Sequence, residues 1–285
     1  MNDQPTGLAV EVEPLVRRIL APNPSPYTYT GTQTYVVGRG EVAVIDPGPA
    51  EAAHVAAILA AVAGERVSAI MCTHTHRDHS PAAVAVAKAT GAEIVGCAPL
   101  ALVDDGPRAD SAFDAGYAPD RVLTDGERVT GPGWTLEAVA TPGHTSNHLC
   151  FALVESGALF TGDHVMGWST TVVAPPDGDM AAYMASLERL IVREDRVYYP
   201  AHGDLVERPQ RFVRHMAAHR KQREKQILSL LREGELGVPA MVARMYVGLD
   251  HRLVGAAGRS VLAHLIDLGN RGVVVAEGDH WRLAA

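Results

Sequence analysis

The feature that most constrains this chain is the segment CTHTHRDHS at positions 72–80, where three histidines and one aspartate fall within six positions. The apolar segment Val67–Cys72 leads into it and predicts a buried strand. The segment Ala82–Ala87 follows and predicts a helix, with Ser80 as its N-cap and Pro81 in its first turn. The cluster is therefore expected where a strand ends and a helix begins, at the edge of an α/β sheet where binding sites form.

The spacing of these side chains predicts two adjacent metal sites. In an extended segment His74 and His76 point to the same side, so one ion can bind both. The turn that follows lets Asp78 and His79 face a second ion. Two ions about 3.5–4 Å apart can share an activated hydroxide. A chance surface cluster or a single structural zinc site is the alternative, but four potential ligands in six residues at a strand end favour the two-metal interpretation.

Three later segments each place a potential metal ligand beside a glycine at the end of a predicted strand. They are TPGHT, which contains His144, LFTGD, which ends at Asp163, and YYPAHG, which contains His202. Together with the first cluster, these residues follow the order and spacing of the HxHxDH, distal His, Asp and final His motifs of the metallo-β-lactamase superfamily. The chain resembles that superfamily over roughly its first two-thirds.

The resemblance implies a metal ligand at each of these positions. One ion would be held by His74, His76 and His144, the other by Asp78, His79 and His202, with Asp163 bridging them. Asp78 would also act in catalysis by orienting the attacking hydroxide. Asp46 matches a family feature beneath the metals and would orient a ligand, although a turn carboxylate before Pro-Gly is the simpler interpretation. Nitrogen and oxygen ligands favour two zinc ions, with iron or manganese as alternatives.

The order of predicted elements indicates an α/β fold. Strands alternate with helices up to Cys97, and strand signals return from Val122 to Thr161. These two halves suggest an αββα sandwich, which the resemblance also implies. The acidic segment between them, 104–120, carries Phe113 and Tyr117. It predicts either a loop that brings aromatic contacts over the site or a surface excursion without a role there.

The charge changes sign near the C-terminus and indicates a second module. Residues 1–210 hold 13 Lys+Arg against 26 Asp+Glu, whereas residues 211–285 hold 12 against 7. We therefore expect a catalytic domain over 1–210 and a separate domain over 211–285. Helices are expected over 211–231, 239–247 and 258–268, followed by a hairpin. Three helices and a terminal hairpin resemble a winged helix.

Two further features bear on the substrate. The winged helix and the GWSTT segment at 167–171 resemble the β-lactamase-like-protein-2 group, which includes an endoribonuclease acting on single-stranded RNA. The basic residues that could then contact phosphates are Arg214, Arg220, Lys221, Arg223 and Lys225, although such residues commonly form only a solvated helix face. The hydroxyls of Ser169, Thr170 and Thr171 either bind a substrate oxygen or only shape the turn into the next helix, which Asp179 is expected to cap.

Three functions remain open from the sequence. The first is a two-metal phosphodiesterase or ribonuclease acting on single-stranded RNA. The second is a hydrolase of small thioesters, lactones or carboxylic esters, with chemistry like that of glyoxalase II. The third is a non-catalytic nucleic-acid-binding regulator, which is disfavoured because a bridged two-metal site exceeds what structural zinc needs. Two divalent ions with only Asp78 and Asp163 among their ligands would attract an anionic substrate.

Composition favours a cytoplasmic protein without a membrane partner. The 285 residues are 47% hydrophobic with a net charge of −8, and no apolar run approaches the ~18 residues of a membrane span. The first residues lack the basic start of a signal peptide. The three widely separated cysteines, Cys72, Cys97 and Cys150, indicate reduced thiols. Antibiotic hydrolysis outside the membrane is therefore disfavoured, and a homodimer is compatible with the sequence.

Overall fold

The computed structural model describes residues 5–100 and 113–284. Contacts between residues divide the chain into two compact units. The first, here called the sandwich unit, comprises segments up to 141, 147–169 and 194–209. The second, the helical unit, comprises 142–146, 170–193 and the chain from 210 onward. The domain boundary at 210 stays a prediction. In the described ranges, no helix has both the length and the hydrophobicity needed to cross a bilayer.

The first sheet of the sandwich unit has seven strands whose spatial order follows the chain. They are β1 (Ala9–Glu13), β2 (Val16–Leu20), β3 (Gln33–Arg39), β4 (Glu41–Ile45), β5 (Arg66–Cys72), β6 (Glu93–Gly96) and β7 (Arg121–Val122). Strands β1 to β4 are antiparallel, and β4 to β7 run parallel. Helices α1 (Ala52–Ala61) and α2 (Ala82–Thr90) lie in the connections between parallel strands, because parallel neighbours need a crossover long enough to hold a helix.

The second sheet has five strands, and its inner face shares one core with the first. Its strands are β8 (Arg128–Gly131), β9 (Trp134–Ala140), β10 (Leu149–Leu153), β11 (Ala158–Gly162) and β12 (Val197–Pro200). Only β11 and β12 pair in parallel. The Tyr35 ring of β3 lies 5.0 Å from Phe160 of β11 and 5.6 Å from Tyr199 of β12, between centroids. Large aromatic rings from both sheets thus fill the interior.

One local prediction in this unit is wrong. Ser80 does not cap α2, since its hydroxyl instead donates to Asp114 Oδ2 at 2.9 Å and the helix begins after Pro81. The Ser80 amide closes the turn by donating to the His76 carbonyl, and the Ser80 carbonyl accepts from the Ala83 amide at 2.9 Å. The segment 10–19 forms the hairpin of β1 and β2, which reverses at Pro14, a residue without an amide proton. Helix α2 ends at Gly91, whose φ is +75°.

The helical unit contains four helices and a small sheet. The helices are α3 (Met180–Ile191), α4 (Pro209–Arg232), α5 (Val238–Met245) and α6 (Val254–Asn270). The strands are β13 (Leu236–Gly237), β14 (Val274–Glu277) and β15 (His280–Leu283), in the order β13-β15-β14. Asp179 caps α3 by accepting from the Ala182 amide at 2.7 Å, as predicted. The last three helices and the hairpin pack around Ile227, Met241 and Leu265, which gives the winged-helix order expected from the sequence.

Candidate metal centre

Polar side chains of the sandwich unit gather where four strands end. Asp46 follows β4, and His74 follows β5, its parallel neighbour. Asp163 follows β11, and His202 lies two residues beyond β12, which again are parallel neighbours. Because the carboxyl ends of parallel strands meet at one edge of a sheet, the fold brings together residues far apart in the chain.

The first group of potential ligands in this unit is His74, His76 and Asp163. One ligand atom from each lies within 4.8 Å of the others. His74 Nε2 approaches His76 Nδ1 to 3.0 Å, and the His74 ring is fully buried. Two imidazole nitrogens at this distance suit a shared cation, because each can turn a lone pair toward it.

The second group is Asp78, His79 and His202, whose ligand atoms also lie within 4.8 Å of one another. Asp78 Oδ2 is 3.5 Å from His79 Nε2 and 3.2 Å from His202 Nε2. The same two nitrogens lie 3.5 and 3.2 Å from Asp163 Oδ1. The Asp163 carboxylate therefore belongs to the first group and also faces the second, which is the position of a bridging ligand.

Hydrogen bonds on the far side of the rings determine which nitrogen faces the site. His79 Nδ1–H donates to Asp46 Oδ2 at 3.0 Å, and His202 Nδ1–H donates to the Gly31 carbonyl at 3.2 Å. Neither acceptor can donate a proton to Nδ1, so the lone pair of the neutral ring is on Nε2, the nitrogen that faces the carboxylates. Within the described parts of the chain, the buried His79 Nε2 has no hydrogen-bond partner. A buried lone pair among carboxylates fits a bound cation.

Thr73 links Asp46 to the first group. Its amide donates to Asp46 Oδ1 and its hydroxyl to Asp46 Oδ2, each at 2.8 Å. The hydroxyl proton is thereby used, so the oxygen accepts from His74 Nδ1–H at 3.0 Å. Sequence reasoning missed Thr73, because a threonine between ligands has no metal-binding signature. The sequence pointed to Asp46, but it did not show that one carboxylate holds His79 and Thr73 together.

His148 and Gly162 position Asp163. His148 Nδ1–H donates to Thr141 Oγ1 at 2.9 Å, and Nε2 accepts from the Asp163 amide at 3.3 Å. Gly162 has a φ of +49°, and a Cβ there would lie 2.6 Å from Thr73 Oγ1 and 2.7 Å from His148 Nε2. Only glycine lets the chain turn so closely against these groups.

Burial and charge shift the pKa values of the second group in opposite directions. Burial opposes ionisation of Asp78, but His79 and His202 outweigh it and hold the pKa of this carboxyl well below its usual range. Burial would lower the pKa of His79, yet the carboxylates of Asp78, Asp163 and Asp46 raise it well above the ordinary value. The pKa of His202 is raised by Asp163 and Asp78 against the same effect of burial. The pocket thus stabilises positive charge, for which protons and metal cations compete.

His144 lies in the helical unit, on the loop Pro142–Ser146. Its Nδ1–H donates to the Val172 carbonyl at 2.7 Å, which leaves Nε2 as the nitrogen with a lone pair. Gly143 before it has a φ of +134°, and a Cβ there would lie 2.3 Å from the Tyr183 Cα. The ring therefore has a fixed tautomer, and its place beside His74 and His76 stays a prediction from the ligand motif.

The other predicted site residues lie outside these groups. Ser169 is half-buried, Thr170 is exposed, and Thr171 is buried with its carbonyl accepting from Arg220. Their role in substrate binding stays a prediction. In the acidic segment, the Phe113 backbone forms a bridge with His76, whereas Tyr117 packs into the sandwich core. The rest of that predicted loop, 104–112, lies outside the described residues.

Comparison with known proteins places these groups in context. The model of the family described as "Metallo-beta-lactamase superfamily" matches residues 27–202, and that of the "Beta-lactamase associated winged helix domain" matches residues 238–281. A β-lactamase domain protein from Burkholderia ambifaria has the same fold, with a TM-score of 0.83 at 21% identity over 99% of this chain and 96% of that one.

Curated relatives are more similar in sequence. An atrochrysone carboxyl ACP thioesterase of Aspergillus fumigatus is 35% identical over 226 residues, which cover 77% of this chain and 66% of that protein. A β-lactamase-like protein 2 homolog of Caenorhabditis elegans is 32% identical over 224 residues, 77% of this chain and 72% of that one. This chain thus spans about two-thirds of the length of the first relative.

Proposed function

Because the chain belongs to the metallo-β-lactamase superfamily, we propose that it is a two-metal hydrolase of acyl thioesters. The predicted fold class is confirmed by the family match, the winged-helix match and the two sheets. The predicted enzyme class, a metal-dependent hydrolase of this superfamily, is confirmed as well. The observation that carries the proposal is the Asp163 carboxylate, which faces both groups of potential ligands.

The residues present fit two divalent cations. Asp163 with His74 and His76 would hold one ion, to which the sequence motif adds His144, and Asp163 with Asp78, His79 and His202 would hold the other. Imidazole and carboxylate ligands suit zinc, with iron or manganese as alternatives. Two such ions supply a nucleophile from water at neutral pH and polarise the carbonyl that is attacked.

Asp78 is placed to act on the reacting water. Its side chain is 27% exposed, whereas those of His79 and His202 are at most 1% exposed. The depressed pKa keeps its carboxylate ionised, so it accepts a hydrogen bond from water and orients the oxygen toward a bound acyl group. The histidines behind it are held by Asp46 and Gly31 and cannot turn away.

Thioester hydrolysis suits a site of this kind. A bond forms between the water oxygen and the carbonyl carbon, the C–S bond breaks, and a carboxylic acid and a thiol result. A thiol such as that of cysteine has a pKa of about 8.5, so its thiolate can depart without a proton from a strong general acid. An alkoxide leaving group, as in RNA cleavage, is far more basic. The name of the Aspergillus fumigatus relative, an ACP thioesterase, supports this substrate class.

A ribonuclease is the second candidate, favoured by the winged helix and the basic residues of α4. Contacts inside the helical unit use two of the five basic residues named above, whereas Arg214, Lys221 and Lys225 are exposed. Arg220 is buried, stacks 5.3 Å over the Tyr183 ring and donates to the Thr171 carbonyl. Arg223 lies 4.3 Å over the Tyr246 ring. These two guanidinium groups stabilise the unit and are poorly placed to contact phosphates, so the thioester is preferred.

The test is a parallel assay on metal-analysed protein. Acyl thioesters, the matching oxygen esters and single-stranded RNA are offered to the zinc-, iron- and manganese-loaded enzyme. We expect turnover of thioesters that disappears in Asp163→Ala and persists in Glu207→Ala, an exposed carboxylate in the same unit. Cleavage of RNA without thioester turnover would select the second candidate. Protein that binds no metal and turns over none of the three would contradict both.

A further inference from the structure

Gln33 begins strand β3 of the first sheet, and its contacts extend to the end of the second sheet. Its Nε2 donates to the Gly203 carbonyl at 2.6 Å and to the Pro200 carbonyl at 3.3 Å. Its backbone amide donates to the Ala201 carbonyl at 2.8 Å. These carbonyls lie on both sides of His202, so hydrogen bonds from one residue hold the main chain around a potential metal ligand.

The Gln33 side chain is used here as a hydrogen-bond donor. A carbonyl oxygen can only accept, so the amide group between the Gly203 and Pro200 oxygens is the NH2, which has protons for both. The side chain is 3% exposed, and among the described residues its Oε1 has no hydrogen-bond partner. A buried amide oxygen without a partner lowers the stability of a fold. Stability alone therefore does not explain a glutamine at this position, whereas the need for its donor does.

The position of the His202 ring depends on this main chain. Its Nδ1–H donates to the Gly31 carbonyl at 3.2 Å, and its Nε2 lies 3.2 Å from carboxylate oxygens of both Asp78 and Asp163. The imidazole ring is rigid, so a shift of residues 200–203 moves Nε2 relative to these oxygens. A ligand atom must lie within about 0.2 Å of the ideal distance from its metal. Small movements of this segment should therefore weaken the binding of an ion.

We propose that Gln33 is a positioning residue for the second metal ion, and that it acts by fixing residues 200–203 so that His202 Nε2 faces the carboxylates. This inference rests on the two-metal site of the proposed function. Residues that hold a metal ligand in place contribute to metal affinity without touching the ion. His74 of the first group is held by Thr73 instead. The first ion should therefore depend on Gln33 much less than the second.

The test measures the stepwise affinity for two zinc ions by competition against a chromogenic chelator. Gln33→Met keeps the length of the side chain but removes the donor, so the second ion should bind about tenfold more weakly or worse, and the first nearly as in the wild type. Gln33→Asn keeps an amide on a shorter side chain and should also weaken the second ion. Ser68→Ala is the matched control, because the Ser68 hydroxyl donates to a main-chain carbonyl, that of Val42, at 3.3 Å in the same sheet. It should bind both ions like the wild type.

A double-mutant cycle separates positioning of His202 from a general effect on the fold. In the His202→Ala background there is no ring to position, so Gln33→Met should cause no further loss of affinity for the second ion. Thermal melts verify that each variant is folded. Losses that add in the double variant, or equal losses of both ions in Gln33→Met, would overturn the proposal. A wild type that binds two ions without thioester turnover would contradict the proposed function, while the cycle would still decide the role of Gln33.

Discussion

Thr73 and Asp46 are joined by two hydrogen bonds, from the Thr73 amide and hydroxyl to separate carboxylate oxygens, both 2.8 Å long. The same hydroxyl accepts from His74, and the same carboxylate accepts from His79. One buried pair therefore orients an imidazole of each ligand group. Removing the charge of Asp46 should therefore affect metal binding by both ligand groups.

Asp46→Asn should weaken metal binding about 10- to 100-fold. An amide presents one accepting oxygen and one donating nitrogen, so it cannot accept from the Thr73 amide on one side and from the Thr73 hydroxyl and His79 on the other. Competition against a chromogenic chelator measures the affinity. Glu51→Gln, an exposed acid at the start of α1, is the control and should bind like the wild type. Unchanged affinity in Asp46→Asn would show that His79 keeps its orientation without this carboxylate.

Gly162→Ala should lower the free energy of unfolding by about 1–3 kcal/mol and impair metal loading. The added Cβ would meet Thr73 Oγ1 at 2.6 Å and His148 Nε2 at 2.7 Å, and the φ of +49° is unfavourable for alanine. Gly126→Ala separates the two causes. Its φ is +81°, but no atom lies within 4 Å of the added Cβ. Denaturant unfolding of both, followed by metal analysis, should show the loading defect only for Gly162.

Metal binding should release protons at neutral pH. Carboxylates around His79 and His202 raise the pKa of both rings, so the metal-free protein retains protons there that the metal must displace. Affinity should therefore fall as the pH decreases below these raised values. Isothermal titration calorimetry in buffers of different ionisation enthalpy measures the number of protons released. A heat independent of the buffer would mean that both rings are already neutral.

His54 should make the protein less stable in acid. Burial lowers the pKa of His54 to about 4, from 6.5. Below pH 6.5 the unfolded chain binds a proton that the folded protein refuses until about pH 4, so stability falls across that window. The loss at pH 5 should be about 2 kcal/mol relative to pH 7.

Urea unfolding at pH 7 and pH 5 measures this loss. His54→Gln is the comparison, because glutamine can hydrogen-bond Thr34 Oγ1, as His54 Nε2 does at 2.9 Å, but does not titrate. The His54→Gln variant should lack the part of the pH dependence of stability that His54 causes. If both proteins lost the same free energy of unfolding between pH 7 and pH 5, the acid sensitivity would belong to other groups.

The two groups of potential metal ligands could be proposed from the sequence, because the spacing of their residues along the chain is characteristic. His74 and His76 stand two apart, and Asp163 follows a glycine at a strand end. The hydrogen-bond acceptors behind the imidazole rings could not be predicted from the sequence. The carbonyls of Gly31 and Val172 have no side-chain signature, and the first reaches His202 across 171 positions.

The basic residues of α4 show a different limit. Periodicity indicates that the helix is amphipathic, but it does not show which neighbour covers a given residue. The buried Arg220 resembles a solvated arginine in sequence, and only the packing against Tyr183 assigns it to the interior.

The two imidazoles beside Asp163 differ in how they tolerate mutation. His79 depends on an aspartate, which a single nucleotide change can replace, whereas His202 depends on a main-chain oxygen that no substitution at Gly31 deletes. A single-nucleotide substitution can therefore remove the hydrogen bond that orients His79. The second is lost only if the loop itself is rebuilt, as any side chain at position 31 would require, because a Cβ on Gly31 would lie 2.1 Å from the Ala21 carbonyl oxygen.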